Sequence, residues 1–275
     1  MKQICQVCMH RCELDEGQTG RCRGRKNTGG KIICDNYGKI TSAALDPIEK
    51  KPLKMFYPGS KILSLGSYGC NLSCPFCQNH EISMVGAGQV NYFSVTPEEV
   101  CEKAESLRPY GNIGVAFTYN EPLISYEFVR DTAKLLRQKD LKTVVVTNGS
   151  VTENIAREIL PLVDGLNIDL KGFTEEYYKS LGGDLEVVKK FIAQAAGQCH
   201  VELTTLIIPG QNDTEEEIRC MTQWIASVNP EIVLHITRFF PNWKMTDRGP
   251  TNTEKIYKLA ETAREVLPYV FTGNC

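Results

Sequence analysis

Ser67-Tyr68-Gly69-Cys70-Asn71-Leu72-Ser73-Cys74-Pro75-Phe76-Cys77-Gln78-Asn79 is the stretch on which the reading of this chain turns. Its three cysteines are separated by three and then two residues, and an aromatic, Phe76, stands directly before the last. Thiolates ligate iron–sulfur clusters, and a cubane takes four of them. Three closely spaced thiolates leave one iron without a protein ligand. An open metal position is where substrate binds, as at catalytic zinc. A small molecule with an amine and a carboxylate can chelate there, and S-adenosylmethionine carries both. The blander alternative is a structural zinc loop, for which His80 is the only nearby fourth ligand.

Outward from that loop, 275 residues suffice for one large α/β domain with a small appendage. The net charge of −2 gives no electrostatic case for nucleic acid or an acidic membrane surface. The first 25 residues are polar and cysteine-rich, without the apolar core of a signal peptide, and no later apolar run is long enough to span a bilayer. The expected location is cytoplasmic. There, 12 cysteines point to metal rather than disulfides.

The N-terminus carries Cys5, Cys8, Cys12 and Cys22 in a Gly- and Arg-rich segment. Four thiolates make a closed metal site of the kind that orders a short polar segment. Zinc fits as the closed four-ligand case, a second Fe–S cluster fits as well, and His10 is a substitute ligand. Residues 31–34 read as a short strand holding Cys34. Residues 46–59, with the run Glu49-Lys50-Lys51, read as an irregular connector whose charges face solvent or line an entrance. The expected organisation is therefore residues 1–60 as a cysteine-rich segment and connector, and residues 61–275 as the main domain.

From residue 61 strands and helices alternate. Strands are expected at 62–65, 114–119, 143–147, 166–170, 201–208 and 232–239. Helices are expected from Thr96-Pro97, at 123–139, 152–160, 175–196 with a break at Gly182-Gly183, 214–228 and around 256–266. A short last strand is expected at 269–272. Six βα units in series predict an α/β fold, a partial (β/α)6 TIM-like barrel, with its active site at the carboxyl ends of the strands. Polar clusters fall there: Asn120-Glu121, Thr147-Asn148-Gly149, Asn167 with Asp169 and Lys171, Glu202 and Thr204, and His235 with Arg238. Asn120 and Glu121 suit an ammonium group. They also resemble a helix N-cap with an acidic first turn. Asp169 and Lys171 read equally as a structural ion pair. A lone strand histidine is more often a satisfied core residue than a catalyst.

The cysteine loop, Asn120-Glu121-Pro122, Thr147-Asn148-Gly149, Asp169-Leu170-Lys171 and Ile208-Pro209-Gly210 resemble the radical SAM enzymes related to pyruvate formate-lyase activating enzyme. The N-terminal cysteines, Asp46-Pro47-Ile48-Glu49-Lys50-Lys51-Pro52-Leu53, Cys77-Gln78-Asn79 and Arg238-Phe239-Phe240-Pro241 more narrowly resemble the radical SAM enzymes of the AmmeMemoRadiSam system. The resemblance implies a [4Fe–4S] cluster on Cys70, Cys74 and Cys77. It implies cleavage of S-adenosylmethionine to methionine and a 5′-deoxyadenosyl radical that takes a hydrogen atom from substrate, a protein glycine in an activase. By position it implies Asn120 and Glu121 at the methionine amino group, Asn148, Asp169 and Lys171 near the ribose and carboxylate, and Ile208 beside the adenine. It further places Phe76, Asn79, Thr204 and Arg238 around the cofactor, although the activating enzyme has an arginine where this chain has Thr204. Reduced flavodoxin or ferredoxin is the implied electron donor, and the family name suggests AMMECR1-like and Memo-like partners. The rival readings are radical modification of a small molecule or RNA, a non-catalytic Fe–S electron-transfer protein, and a zinc-ribbon module in residues 1–30.

Overall fold

A computed structural model describes residues 2–275. Eight strands form the main sheet: β1 Ser42–Pro47, β2 Lys61–Gly66, β3 Asn112–Phe117, β4 Lys142–Thr147, β5 Gly165–Asp169, β6 His200–Ile207, β7 Val233–Arg238 and β8 Val270–Gly273. Their order across the sheet is β8-β7-β6-β5-β4-β3-β2-β1. β2 to β8 are parallel neighbours in sequence order, and only β1 runs antiparallel, against β2. The helices α1 His80–Ser83, α2 Pro97–Ser106, α3 Tyr126–Gln138, α4 Glu153–Ile159, α5 Glu175–Ser180, α6 Leu185–Ala195, α7 Glu215–Val228 and α8 Thr253–Arg264 lie in the crossovers. This is the partial (β/α)6 arrangement with one closing strand, flanked by a cysteine-rich N-terminal segment.

Local chemistry sets the element ends. α2 opens with a capping box: Thr96 Oγ1 accepts from Glu99 N at 3.2 Å, and Glu99 Oε2 accepts from Thr96 N at 2.8 Å. Such a cap contributes about 1 kcal/mol. Gly182, at φ +73°, supplies the left-handed turn that divides the expected 175–196 helix into α5 and α6. The strands read as near-continuous apolar runs because the helices cover the sheet. Val144, Leu166, Leu203 and Leu234 are fully buried. No described helix is long and apolar enough to cross a membrane.

β1 is where the structure departs from the expected connector. Ser42 pairs with Gly66 and the register runs unbroken to Pro47 opposite Lys61, so a boundary at residue 60 would fall between two paired strands. Ser42-Ala43-Ala44-Leu45 carries little apolar alternation. It becomes a strand because the free edge of β2 offers it a ladder of unpaired backbone groups.

Beyond β1 the chain makes a single 3-10 turn, Ile48–Lys50, and then crosses the amino ends of the strands. Ile48, Leu53 and Phe56 pack there on Ile62, Ala116 and Val144. Glu202 anchors this crossing. Its carboxylate accepts from Lys54 N and Met55 N, both at 2.8 Å. His235 Nε2 approaches it at 2.5 Å and His200 Nε2 at 2.9 Å. His235 is thus a satisfied core histidine. Burial opposes the charge on Glu202, but these four donors outweigh it and hold the pKa down to about 2 from the ordinary 4.5. A depressed carboxylate stabilises the fold above the ordinary pKa and loses that contribution as pH falls from 4.5 towards 2. The shift corresponds to on the order of 3 kcal/mol. Glu202→Gln is expected to remove a contribution of that order at neutral pH and to flatten the acid limb of stability, as read by urea unfolding at stepped pH.

Candidate active site

β2 ends at Gly66, and the three-cysteine loop begins directly after it. Neighbouring elements grip this loop. Asn120 Oδ1 accepts from Ser67 N at 3.0 Å, while its Nδ2 donates to the carbonyls of Tyr68 at 3.2 Å and Gly69 at 3.0 Å. Asn71 is buried; its Nδ2 donates to Ser150 O at 2.8 Å, and its Oδ1 accepts from Asn148 Nδ2 at 2.9 Å. Leu72, Cys74 and Phe76 pack on Tyr177, Leu181 and Ile208. Gly69 has φ +88°, and a Cβ there would lie 2.4 Å from the carbonyl oxygen of Cys22, so the N-terminal segment sits directly against the loop.

The three thiols face one cavity of about 480 Å³ at the carboxyl ends of the strands. Phe76 and Asn79 from the cysteine loop, Asn120 and Glu121 from the end of β3, Asn148 from the end of β4, Asp169 and Lys171 from the end of β5 and Thr204 from β6 line it with them. Cys70 Sγ accepts from Leu72 N at 3.4 Å and from Asn148 Nδ2 at 3.7 Å. Burial pushes the Cys74 thiol up to about 11, and it pushes Cys70 well above its usual range with Glu121 adding to the effect.

Glu121 is buried, and its carboxylate joins two strand ends. It accepts from Leu123 N at 3.0 Å, Thr147 Oγ1 at 2.7 Å and Asn148 N at 2.8 Å. Burial still raises its pKa to about 7. A carboxylate has about four lone-pair sites, so one remains for a cavity ligand. Lys171 Nζ lies 3.0 Å from Asp169 Oδ2. Burial opposes that ammonium, but Asp169 and Cys74 outweigh it and hold its pKa well above the ordinary lysine value. The Asp169 side chain is 36% exposed, which makes this a pair presented to the cavity rather than a sealed internal bridge.

Glu121→Gln removes an acceptor while the backbone donors stay buried. The expected result is a stability loss of about 1–3 kcal/mol together with, at unchanged iron and sulfide content, weaker binding of the S-adenosylmethionine that the sequence resemblance implies. Calorimetry on reconstituted protein reads both. Asp169→Asn is expected to weaken binding without the stability loss.

Two expected residues stand apart from the cavity. Ile208 follows the end of β6 and packs behind the loop against Leu72 and Phe76. Arg238 follows the cavity-lining Thr237 on β7, so strand alternation turns it to the other side. There its Nε donates to Thr251 O at 2.7 Å and its guanidinium lies over Phe240. His80 stacks on Trp243 with its Nδ1 3.2 Å from the carbonyl of Cys77, and His10 Nε2 donates to Asn71 O at 2.8 Å. Tyr119, Thr237 and Asn274, close to strand ends, and Met84, just after α1, also line the cavity without any other signal in their local sequence.

None of the twelve cysteines is in a disulfide. Cys5, Cys8 and Cys22 are buried and Cys12 is half-buried. Burial pushes Cys8 up to about 11 and Cys22 to about 12, and the neighbouring cysteines of this group add to both. The backbone of Gly24 and Arg25 works against this rise at Cys22, and that of His10 works against it at Cys8. Backbone hydrogen bonds to a sulfur favour thiolate. Among the described residues no three His, Cys, Asp or Glu side chains converge as ligands of one metal ion. A cubane, with one thiolate per iron, does not need its cysteines to converge on a point. The donor set at Cys70, Cys74 and Cys77 fits such a group: three sulfurs, no fourth protein ligand, and a polar cavity against the open side.

A parallel partial barrel with a three-thiol loop at its carboxyl ends, above a cavity of amide and carboxylate groups, defines a class of metallocofactor enzyme. Comparison with known proteins makes it specific. Residues 65–219 match the radical SAM superfamily model, and the chain belongs to that superfamily. It is 38% identical to an uncharacterised protein of Methanocaldococcus jannaschii over 99% of this chain and 81% of that protein. It is 26% identical to the pyruvate formate-lyase-activating enzyme of Clostridium pasteurianum, over 72% of this chain and 88% of that enzyme. Streptococcus suis SuiB bound to S-adenosylmethionine superimposes with a TM-score of 0.61 at 14% identity, covering 78% of this chain and 52% of that one. The chain is thus a radical SAM enzyme related to the activating enzymes. That membership implies a [4Fe–4S] cluster and S-adenosylmethionine.

Proposed function

We propose that Cys70, Cys74 and Cys77 hold the [4Fe–4S] cluster and that the enzyme uses S-adenosylmethionine to abstract a hydrogen atom from a protein glycine, as an activase does. The observation that carries this reading is the sharing of one cavity by three thiols and the polar groups of four neighbouring strand ends. When bound, the reduced cluster and S-adenosylmethionine supply a 5′-deoxyadenosyl radical.

The chain's own residues position the cofactor. The free lone pair of Glu121, beside Asn120, takes the methionine ammonium. Asp169 accepts from the ribose hydroxyls, Lys171 pairs with the carboxylate, and Asn148 holds both Cys70 and Asn71 in place. Phe76 lines the cavity from within the loop, and Ile208 packs behind it. Asn79 Nδ2 donates to Tyr119 O at 2.8 Å and closes the rim, and Thr204 lines the inner wall. Arg238, outside the lining, supports the β7 end through Thr251. Cys5, Cys8, Cys12 and Cys22 hold a second metal centre: another Fe–S cluster, or zinc, which would need the four sulfurs to draw together on one ion. Reduced flavodoxin or ferredoxin supplies the electron, and AMMECR1-like and Memo-like proteins are the proposed partners.

The similarity to activating enzymes supports glycine as the hydrogen donor. The test is isotopic. Protein from cells grown on [2,2-²H]glycine is incubated with the reduced, reconstituted enzyme and S-adenosylmethionine. Deuterium in the 5′-deoxyadenosine is the expected result. Turnover with unlabelled 5′-deoxyadenosine would overturn the glycine assignment.

A further inference from the structure

The cavity continues past the cofactor groups to the barrel floor, where Lys50, Lys51 and Pro52 line it. Asn274, just after β8, lines the same cavity. β1 and β8 are the two edges of the sheet, so the cavity bridges the open side of the barrel. Charge is not balanced at that place. Asp46 Oδ2 lies 2.9 Å from Lys51 Nζ, and its Oδ1 lies 3.5 Å from Lys50 Nζ. Two ammonium groups therefore share one carboxylate. Glu49 does not offset them, because its carboxylate turns away to accept from Gly59 N at 2.7 Å. Elsewhere in the cavity Asp169 and Lys171 pair one to one, and Glu121 is held by three donors.

The Lys51 side chain is 3% exposed, which is rare for a lysine. It is built into position. Tyr119 OH donates to Asp46 Oδ2 at 2.7 Å, and the Lys51 ammonium sits 4.5 Å above the Tyr119 ring. Tyr119 adopts φ +71°, a left-handed conformation that a non-glycine residue holds only when its surroundings fix it. Lys51 Nζ donates to Asp46 and, at 3.4 Å, to the Tyr119 hydroxyl. An ammonium has three donors, so one is left for a ligand. Lys50, 67% exposed, stands at the outer end of the same floor.

We propose that Lys50 and Lys51, oriented by Asp46 and Tyr119, bind an anionic group of the substrate, a carboxylate or a phosphate, that enters through the open side of the barrel. This rests on the radical SAM reading for what happens next to the substrate, while the binding itself does not. Lys51 anchors the anion from within and Lys50 draws it in.

The test is calorimetric, on anaerobically reconstituted protein saturated with S-adenosylmethionine, which fills the cofactor subsite beforehand. Inorganic phosphate and succinate are titrated separately, and the tighter of the two names the anion. Lys51→Gln is expected to weaken it about tenfold. Lys50→Gln, at an exposed position that does not threaten folding, is expected to weaken it about threefold. Cluster content and S-adenosylmethionine affinity stay at wild-type values in both. The proposal fails if neither anion binds at millimolar concentration, or if Lys50→Gln leaves the affinity unchanged. It also fails if Lys51→Gln lowers S-adenosylmethionine affinity instead, because the lysine then serves the cofactor. Anion binding by a protein that forms no 5′-deoxyadenosine supports this site and removes the catalytic reading.

Discussion

Replacing Cys70, Cys74 and Cys77 together by alanine is expected to abolish both the cubane and the formation of 5′-deoxyadenosine while leaving the barrel folded. The fold is expected to survive because the loop is not held by its thiols. Asn120 fixes Ser67, Tyr68 and Gly69; Asn71 ties the middle of the loop to Ser150; Leu72 and Phe76 are buried against Tyr177 and Ile208. Cys74 is buried and Cys70 and Cys77 are half-buried, and trimming one sulfur leaves a small void costing about 1 kcal/mol. Iron and sulfide analysis, the visible absorption of reconstituted protein and chromatographic detection of 5′-deoxyadenosine read the chemistry. Circular dichroism reads the fold. Continued cleavage of S-adenosylmethionine by a folded triple variant would show that the cluster sits elsewhere.

The second large effect is expected from Cys5, Cys8, Cys12 and Cys22. Replacing all four by alanine should strip one metal centre, release residues 1–30 to protease and lower the thermal midpoint. Within this segment Val7 and Leu14 are buried, but Ile4 is 49% exposed, so apolar burial alone is a weak anchor. Fixing each backbone residue costs about 1–2 kcal/mol, whereas a structural metal contributes on the order of 10 kcal/mol in small peptides. The segment also touches the catalytic loop: His10 donates to Asn71 O, Thr152 N donates to Val7 O at 3.0 Å, and the Cys22 carbonyl abuts Gly69. Loss of the proposed N-terminal metal is therefore expected to weaken retention of the cluster proposed at Cys70, Cys74 and Cys77 as well. Anomalous scattering at the zinc and iron edges identifies the metal. Absence of any metal in anaerobically purified protein, with residues 1–30 still protected, would overturn the assignment.

Much of this was legible along the chain. The spacing of Cys70, Cys74 and Cys77 is a local property, because ligands of one cluster that lie within eight residues need no tertiary information to be read together. The βα series was legible for a similar reason: apolar runs, Thr96-Pro97 with Glu99, and Gly182 each act within a turn or two of chain. Strand ends follow from that series, so Asn120, Glu121, Asn148, Asp169 and Lys171 could be assigned to one end of the barrel from sequence.

What pairs across long separations was decided only by the fold. Ser42–Pro47 is a strand because β2 presents an edge, not because its own residues prefer one. Glu202 read as a polar residue carried within its strand, yet the crossing of Lys54 and Met55 makes it the anchor of the barrel floor. Arg238 and Ile208 were displaced from the cavity by strand alternation and by the end of β6, details finer than the positions of the strands themselves. Lys51 read as part of a charged run. Its burial beneath Tyr119, 68 residues away, and its shared claim with Lys50 on Asp46 exist only once β1 lies beside β2 and Tyr119 turns into the barrel. Local sequence carries the ligands and the elements, whereas the partners of a buried charge depend on which distant residues the packing brings within hydrogen-bond reach.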